Sequence, residues 1–225
     1  MDDRYERNGL SEAEQETLQG AAVSIIGCGG LGGRTAELLT RVGIGTIILT
    51  DPDTFDESNL NRQLFSTPET LGLEKAAVVA AELQKINPQT TIHFHVQAFN
   101  EGSITGAHCV VDCLDSPGDR KQLARLCRKH EIPLIHGAVK NWYGQAGVDH
   151  RDSPLIDSLY PHGAKQGVPQ VLPMTVALVA AMQGAEVCKC ILGKDSPLQK
   201  GWLQCDLLHC DYGLISIGKQ TKKAD

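Results

Sequence analysis

Val23-Ser24-Ile25-Ile26-Gly27-Cys28-Gly29-Gly30-Leu31-Gly32 is the stretch that decides the fold. Four strand-forming residues run directly into G-x-G-x-x-G, and residues 31–42 then carry apolar side chains at three- and four-residue spacing. Strand, glycine turn and helix in that order form the setting in which this pattern signifies nucleotide binding. Glycine lets the backbone turn sharply and approach a phosphate, and the exposed N–H groups of the first helical turn favour negative charge. A tight turn without a ligand is the alternative reading of Gly27, Gly29 and Gly32.

Outward from this stretch, short β-branched runs alternate with longer helical patterns through residues 20–140, the sign of βαβ units around a parallel sheet. The pattern predicts strands at 22–26, 46–50, 91–96, 108–113 and 134–137, and helices at 31–42, 74–86 and 119–130. A further strand is expected at 143–148. Residues 150–173, with Pro154, Pro161, Pro169 and Pro173, read as a loop. Residues 174–192 are apolar nearly all round and predict a buried helix; 202–208 and 212–217 read as closing strands and 219–225 as a frayed tail. The expected fold class is α/β: a Rossmann-like nucleotide-binding fold whose largely parallel central sheet is extended by C-terminal antiparallel strands. One domain is expected over 1–225, with an N-terminal helical arm at 1–20.

The 225 residues carry a net charge of −6 and a pI near 5.7, which supplies no basic stripe for a phosphate backbone, so no nucleic acid partner is expected. Met1 to Arg7 is charged where a signal peptide is apolar, and the longest apolar stretch, 174–182, is short of a bilayer span; a cytoplasmic location without membrane association is expected. Eight cysteines in such a chain read as reduced thiols. Cys28, Cys109, Cys113 and Cys127 sit among apolar or small residues, where buried structural cysteines go. Cys188 with Cys190, and Cys205 with Cys210, are weak zinc candidates, since a C-x-C pair on a helix turns its side chains about 200° apart.

Asp51 ends the second strand about twenty residues after the glycine turn, where a carboxylate accepts hydrogen bonds from ribose hydroxyls. A turn cap is its alternative role; Asp53 and Asp56 read chiefly as loop residues, with a ligand role for Asp53 left open. Ser58-Asn59-Leu60-Asn61-Arg62-Gln63 follows, rich in phosphate-binding side chains. The planar fork of Arg62 holds phosphate oxygens bidentately, and Lys75, at the start of a helix, supplies a second positive charge. Each alone also reads as a solvated cation; together they read as a triphosphate clamp. Asp112 and Asp115 flank Cys113-Leu114 at the C-terminal end of the fourth strand, the edge at which open α/β sheets bind ligands. A carboxylate there, beside polyphosphate, holds Mg²⁺ directly or through water. Asp115 alternatively N-caps the helix starting near Ser116-Pro117. His136 reads as a satisfied near-core residue, and neither it nor His162 is assigned a role.

RYERN at 4–8, GCGGLG at 27–32, LTDPDTFDESNLNRQ at 49–63 with Lys75 downstream, and VVDCLDS at 110–116 together resemble the HesA/MoeB/ThiF group, bacterial relatives of ubiquitin-activating enzymes. The resemblance covers roughly the first 150 residues, and SNLNRQ with its lysine is far more specific than a glycine turn. It implies an ATP site lined by Gly30, Asp51, Ser58, Asn59, Arg62, Lys75, Asp115 and Ser116, with Arg62 and Lys75 on the phosphates and Asp115 organising Mg²⁺. It also implies a homodimer in which Arg7 reaches a neighbouring subunit's ATP site, a 150–173 loop crossing the active site, and a sulfurtransferase as a further partner. The implied reaction is ATP-dependent adenylylation of the C-terminal glycine carboxylate of a small ubiquitin-like sulfur-carrier protein ending in Gly-Gly, with pyrophosphate released. Many members hold a structural zinc with two C-x-x-C pairs; residues 149–173 contain no cysteine, so neither that zinc nor a thioester or persulfide on the loop is expected. Ser116 stands where asparagine is common in the group.

Two other classes share parts of the pattern. An NAD(P)-dependent oxidoreductase would use Gly27, Gly29, Gly32 and Asp51 but not Arg62 and Lys75, so charge reversal at Lys75 separates it from an adenylyltransferase. A non-catalytic scaffold of the same fold is the other, and intact Arg62, Lys75 and Asp115 argue against it. A tRNA-modifying variant is disfavoured by the acidic balance. The motifs do not name the carrier or its pathway, whether thiamine, molybdopterin, cysteine or another.

Overall fold

The computed structural model describes residues 3–161 and 170–217. The expectations for His162, for the centre of the 150–173 segment and for the 219–225 tail lie outside the described residues. The parallel strands β1 (Ala22–Ile26), β2 (Thr46–Thr50), β3 (Thr91–His95), β4 (Cys109–Asp112) and β5 (Leu134–Lys140) are followed by antiparallel β6 (Tyr143–Asp149), β7 (Gly201–Asp206) and β8 (Asp211–Ser216). They form one eight-stranded sheet in the order β3-β2-β1-β4-β5-β6-β7-β8. The chain winds outward from β1 to β3 and then returns to place β4 on the other side of β1. That reversal opens a crevice at the C-terminal ends of β1 and β4, the ligand position of doubly wound sheets.

Period-two alternation divides the parallel strands between two cores. Val23, Ile25, Cys109, Val111 and Ile135 face α2 (Gly30–Val42), α3 (Lys75–Ile86) and α6 (Pro173–Ile191), meeting Ala36, Leu39, Val79, Leu83 and Val187. Ile26, Val110 and Leu134 face the other way, onto Leu123, Ala124 and Cys127 of α4 (Pro117–Lys129) and Ile156 of α5 (Leu155–Leu159). Each fully buried leucine or isoleucine contributes roughly 1.5–3 kcal/mol relative to exposure. Of the cysteines read as structural, Cys28, Cys109 and Cys127 are buried and Cys113 is half-buried. Burial pushes the Cys28 thiol well above its usual range.

Three expectations change. Residues 150–173 are not a loop throughout, because Leu155 and Ile156 are buried and α5 forms around them, its Ile156 N–H donating to Asp149 Oδ2 at 2.8 Å. Helix α6 is not buried all round: Met174 is 53% exposed, while the polar Gln183 and Glu186 are buried. One face of α6 lies on β5, β6 and α2, and the opposite face is open. By length and composition its nineteen residues suffice to cross a bilayer, which the shorter 174–182 stretch did not suggest, but in this fold the helix is a core element. Finally, the N-terminal arm is helical only in part: a 3-10 turn at Asp3–Tyr5, then α1 (Glu12–Gln19), started by a Ser11/Glu14 capping box. Arg7 lies in the turn between them.

Candidate active site

The glycine turn is fixed by sterics at two positions. Gly27 has φ +93°, and a Cβ there would lie 2.7 Å from the Cys113 carbonyl oxygen; at Gly32 it would lie 1.7 Å from the Gly27 carbonyl oxygen. Only glycine meets both demands. Gly29 and Gly30 are freer, their nearest neighbours being the Gln63 and Val176 side chains at 3.4 Å. Gly29 caps α2 without any side-chain hydrogen bond, and the first turn of α2 holds no acid. Its leading N–H groups are therefore available to an anion, which the helix dipole also favours.

Asp51, 5% exposed, is bonded into this turn: Oδ2 accepts the Cys28 N–H at 2.6 Å and Oδ1 accepts the Asp53 N–H at 2.8 Å. Burial pushes its carboxyl up, against those two donors and the charge of Lys75. Lys75 is the first residue of α3 and is itself buried, with Nζ 3.1 Å from Asp53 Oδ2. The residue left open by the sequence, Asp53, is thus the ion partner of the expected phosphate-binding lysine.

Arg62 stays near the glycine turn, its carbonyl oxygen 3.7 Å from the Cβ position at Gly30. Its guanidinium donates to the Ser58 carbonyl at 2.6 Å and to Asn61 Oδ1 at 3.0 Å, leaving further donors in its fork. Ser58 is exposed, whereas Asn59 is buried and closes a capping box with Asp56 around the 3-10 turn Glu57–Asn59. Asn59 therefore shapes the segment that presents Arg62.

At the end of β4 the two aspartates take different roles. Asp112 is buried, with Oδ2 at 2.7 Å from His136 Nδ1 and 3.1 Å from Arg120, and Oδ1 accepting the Leu114 N–H at 3.0 Å. Burial pushes the Asp112 carboxyl up, but Arg120 and His136 outweigh it and hold it below its ordinary value. Burial, with the Arg120 charge beside it, lowers His136, whose Nδ1 lies 2.7 Å from Asp112 Oδ2 and whose Nε2 faces Gln145 Nε2 at 3.1 Å. Asp115 is exposed, and its side chain bonds to no described residue. The cap that Asp115 was a candidate for is Ser116, whose hydroxyl accepts the Asp119 N–H at 3.4 Å.

Asp115 is therefore the carboxylate at this edge that fits Mg²⁺. Among the described residues no group of three or more His, Cys, Asp or Glu side chains gathers to hold a metal unaided, so the remaining ligands would be phosphate oxygens and water.

The structure thus brings Gly27, Gly29, Gly30, Gly32, Asp51, Arg62 and Lys75 around the turn, with the Asp115–Ser116 segment joined to it through Cys113 beneath Gly27. Arg7 is elsewhere. Tyr5 packs against Gly43 and hydrogen-bonds Asn87, at the opposite edge of the sheet, and Arg7 is exposed there without a described partner. Sequence reasoning missed Gln63, 8% exposed with its amide against Gly29 and Oε1 unpartnered, and it missed Arg120, whose contacts come from distant segments. SNLNRQ contained Gln63; nothing local marked Arg120.

Comparison with known proteins gives the family and the fold. The ThiF family profile matches residues 4–224. The SAMP-activating enzyme E1 of Haloferax volcanii is 32% identical, over 95% of this chain and 84% of that protein. The molybdopterin-synthase adenylyltransferase of Salmonella typhimurium is 29% identical, over 93% of this chain and 90% of its own length. In fold, the crystal structure of E. coli MccB with ATP matches with a TM-score of 0.83 at 23% identity, covering 99% of this chain and 74% of that one. With the family profile spanning nearly every residue and the glycine turn, Asp51, Arg62, Lys75 and Asp115 arranged as above, the chain belongs to the ThiF family.

Proposed function

We propose that this protein is an ATP-dependent adenylyltransferase that activates the C-terminal glycine carboxylate of a small ubiquitin-like sulfur-carrier protein. The observation that carries the reading is an uncapped helix N-terminus whose glycine turn is tied through Asp51 and Asp53 to buried Lys75 and lies against the Arg62 backbone, with an exposed carboxylate without a described partner, Asp115, two residues after the Cys113 carbonyl that packs beneath Gly27. A polyphosphate matches the helix N-terminus, Lys75 and Arg62, and its metal matches Asp115. Relatives named as activating or adenylylating enzymes, matched over most of their length, support the same reaction class.

In that reaction a carrier carboxylate oxygen attacks the α-phosphorus of ATP, a P–O bond forms, and the bond to the bridging oxygen of pyrophosphate breaks. Arg62 and Lys75 bind and orient the phosphates and stabilise the charge gathering on the leaving group. The α2 N–H groups hold the phosphate chain against the glycine turn. Asp51 positions the ribose with the acceptor capacity left after its two backbone bonds. Asp115 holds Mg²⁺, which when bound neutralises phosphate charge. Arg7, at the far edge of its own subunit, serves the site of a second copy in a homodimer. A sulfurtransferase partner supplies sulfur to the activated carrier, and the reaction runs in the cytoplasm.

The test is ATP–pyrophosphate exchange with Mg²⁺ and a panel of small carriers ending in Gly-Gly, with Arg62→Ala as control. Carrier-dependent exchange that is lost in the variant is expected. ATP binding without exchange for any carrier would favour a scaffold, and NAD binding in place of ATP would overturn the reading.

A further inference from the structure

Arg120 is 5% exposed and directs every described contact inward. Its guanidinium donates to the Leu114 carbonyl, to the Gly137 carbonyl at 2.8 Å and to Asp112 Oδ2 at 3.1 Å. Its own backbone N–H donates to the Ser116 carbonyl at 3.0 Å. The Arg120 side chain therefore holds residue 114, which precedes Asp115, while residue 116, which follows it, is held by the first main-chain bond of α4, a bond any residue but proline at 120 would make. Leu114 is pinned at its other end by the Asp112 carboxylate, which accepts its N–H at 3.0 Å. Between these fixed residues the Asp115 side chain projects with no described partner.

The grip extends to the glycine turn. Gln183 of α6 donates to the Asp112 carbonyl at 2.9 Å, and the next carbonyl, that of Cys113, packs beneath Gly27. Arg120 also lies 5.5 Å from the centre of the Tyr160 ring, which helps exclude water from its charge. Burying a guanidinium and a carboxylate costs several kcal/mol of desolvation, and an apolar pair often stabilises a fold as well or better. An arginine here instead supplies a rigid fork reaching two carbonyls and a carboxylate together, a geometry that the point charge of lysine does not reproduce.

We propose that Arg120 is a positioning residue for adenylylation, its side chain fixing the Leu114 backbone that leads into Asp115 and so the place of that carboxylate relative to the glycine turn. The inference rests on the adenylyltransferase reading above. A displacement of about 1 Å in such a group lowers turnover on the order of 10²-fold.

The experiment compares Arg120→Lys, Asp115→Asn and the double variant with the parent, measuring carrier-dependent ATP–pyrophosphate exchange across a Mg²⁺ titration, metal-free ATP binding and cooperative urea unfolding. Arg120→Lys is expected to fold and to bind metal-free ATP within about twofold of the parent, while exchange falls on the order of 10- to 100-fold and half-saturation moves to higher Mg²⁺. In the Asp115→Asn background, Arg120→Lys is expected to change exchange by less than about twofold, because its effect passes through Asp115. Multiplying losses in the double variant, or an unaltered Mg²⁺ dependence in Arg120→Lys, would overturn the proposal. Should Arg120→Lys unfold, Asp112→Asn with Arg120→Gln removes both buried charges together, leaves no unpaired ion and carries the same comparison. Absence of exchange in the parent with every carrier overturns the adenylyltransferase reading and this proposal with it, whereas loss confined to the variants concerns Arg120.

Discussion

Asp51 Oδ2 accepts the backbone N–H of Cys28 at 2.6 Å, so the carboxylate that follows β2 also fixes the middle of the glycine turn that follows β1. Its second oxygen accepts the N–H of Asp53, whose side chain holds Lys75. Nucleotide turn and phosphate lysine are thereby tied through one buried carboxylate.

Asp51→Ala leaves the N–H groups of Cys28 and Asp53 without their acceptor, at about 1–3 kcal/mol for a buried donor. A lower urea midpoint and weaker ATP binding are expected together, since the freed turn loses its pre-set shape. Unchanged ATP affinity in a destabilised protein would show that the tie serves folding alone.

The glycines of the turn should separate into two classes. Gly32→Ala would place a methyl 1.7 Å from the Gly27 carbonyl oxygen, and Gly27→Ala would place one 2.7 Å from that of Cys113 in a backbone with φ +93°. Backbone atoms cannot yield cheaply, so both variants are expected to express as unfolded protein. Gly30→Ala meets no atom nearer than the Val176 side chain at 3.4 Å and lies on a helix, where alanine is favoured by about 1 kcal/mol. The one backbone neighbour, the Arg62 carbonyl oxygen at 3.7 Å, is at ordinary contact distance, so the variant should fold with a urea midpoint at or above the parent's, yet bind ATP more weakly if phosphate passes over this position.

Lys75 separates phosphate binding from stability. Its ammonium is buried while its partner Asp53 is 65% exposed, so Lys75→Met fills the space with a flexible apolar chain and leaves Asp53 to water. A stability change under about 1 kcal/mol is expected. Titration with ATP and AMP should then show at least about tenfold weaker ATP binding and little change for AMP, because a charge-assisted contact to the outer phosphates is lost. Equal losses for the two nucleotides would move Lys75 away from those phosphates.

Much of this architecture was legible because it is local. Residues 22–26 and 46–50 are strands as expected, since apolar runs bounded by turn residues carry their own signal. The resemblance covered the first 150 residues or so, and the family match extends it to residue 224. What escaped was non-local. Asp112 and Asp115 are three residues apart and look interchangeable in the sequence, yet one is sealed by Arg120 and His136 and the other is open. Those partners belong to two other elements, and only the pairing of β4 with β5 and the packing of α4 bring them in. Helix α6 was misread because its mean apolarity says nothing about which residues face the core, and Gln183 is buried to bond a carbonyl at the end of β4.

Asp149 makes the stability of the α5 region depend on pH. It ends β6 with its side chain fully buried, accepts the Ile156 N–H at 2.8 Å and lies 3.4 Å from Arg128 Nε, which Asp157 shares through Nη1 at 2.6 Å. Burial outweighs these contacts and pushes its carboxyl up from 3.8 to about 6. The folded state therefore binds this proton more tightly than the unfolded chain does. The associated stability is fully present below the unfolded value and is lost as pH rises through about 6. A shift of two units corresponds to about 3 kcal/mol, taken as an upper bound. Asp149→Asn cannot ionise yet keeps an oxygen for the Ile156 N–H. Urea unfolding at pH 8 should find the variant at least as stable as the parent, with the difference closing towards pH 4. A variant less stable than the parent at pH 8 by about 1 kcal/mol or more would mean that the Arg128 ion pair outweighs burial, and the sign of the pH dependence would then reverse.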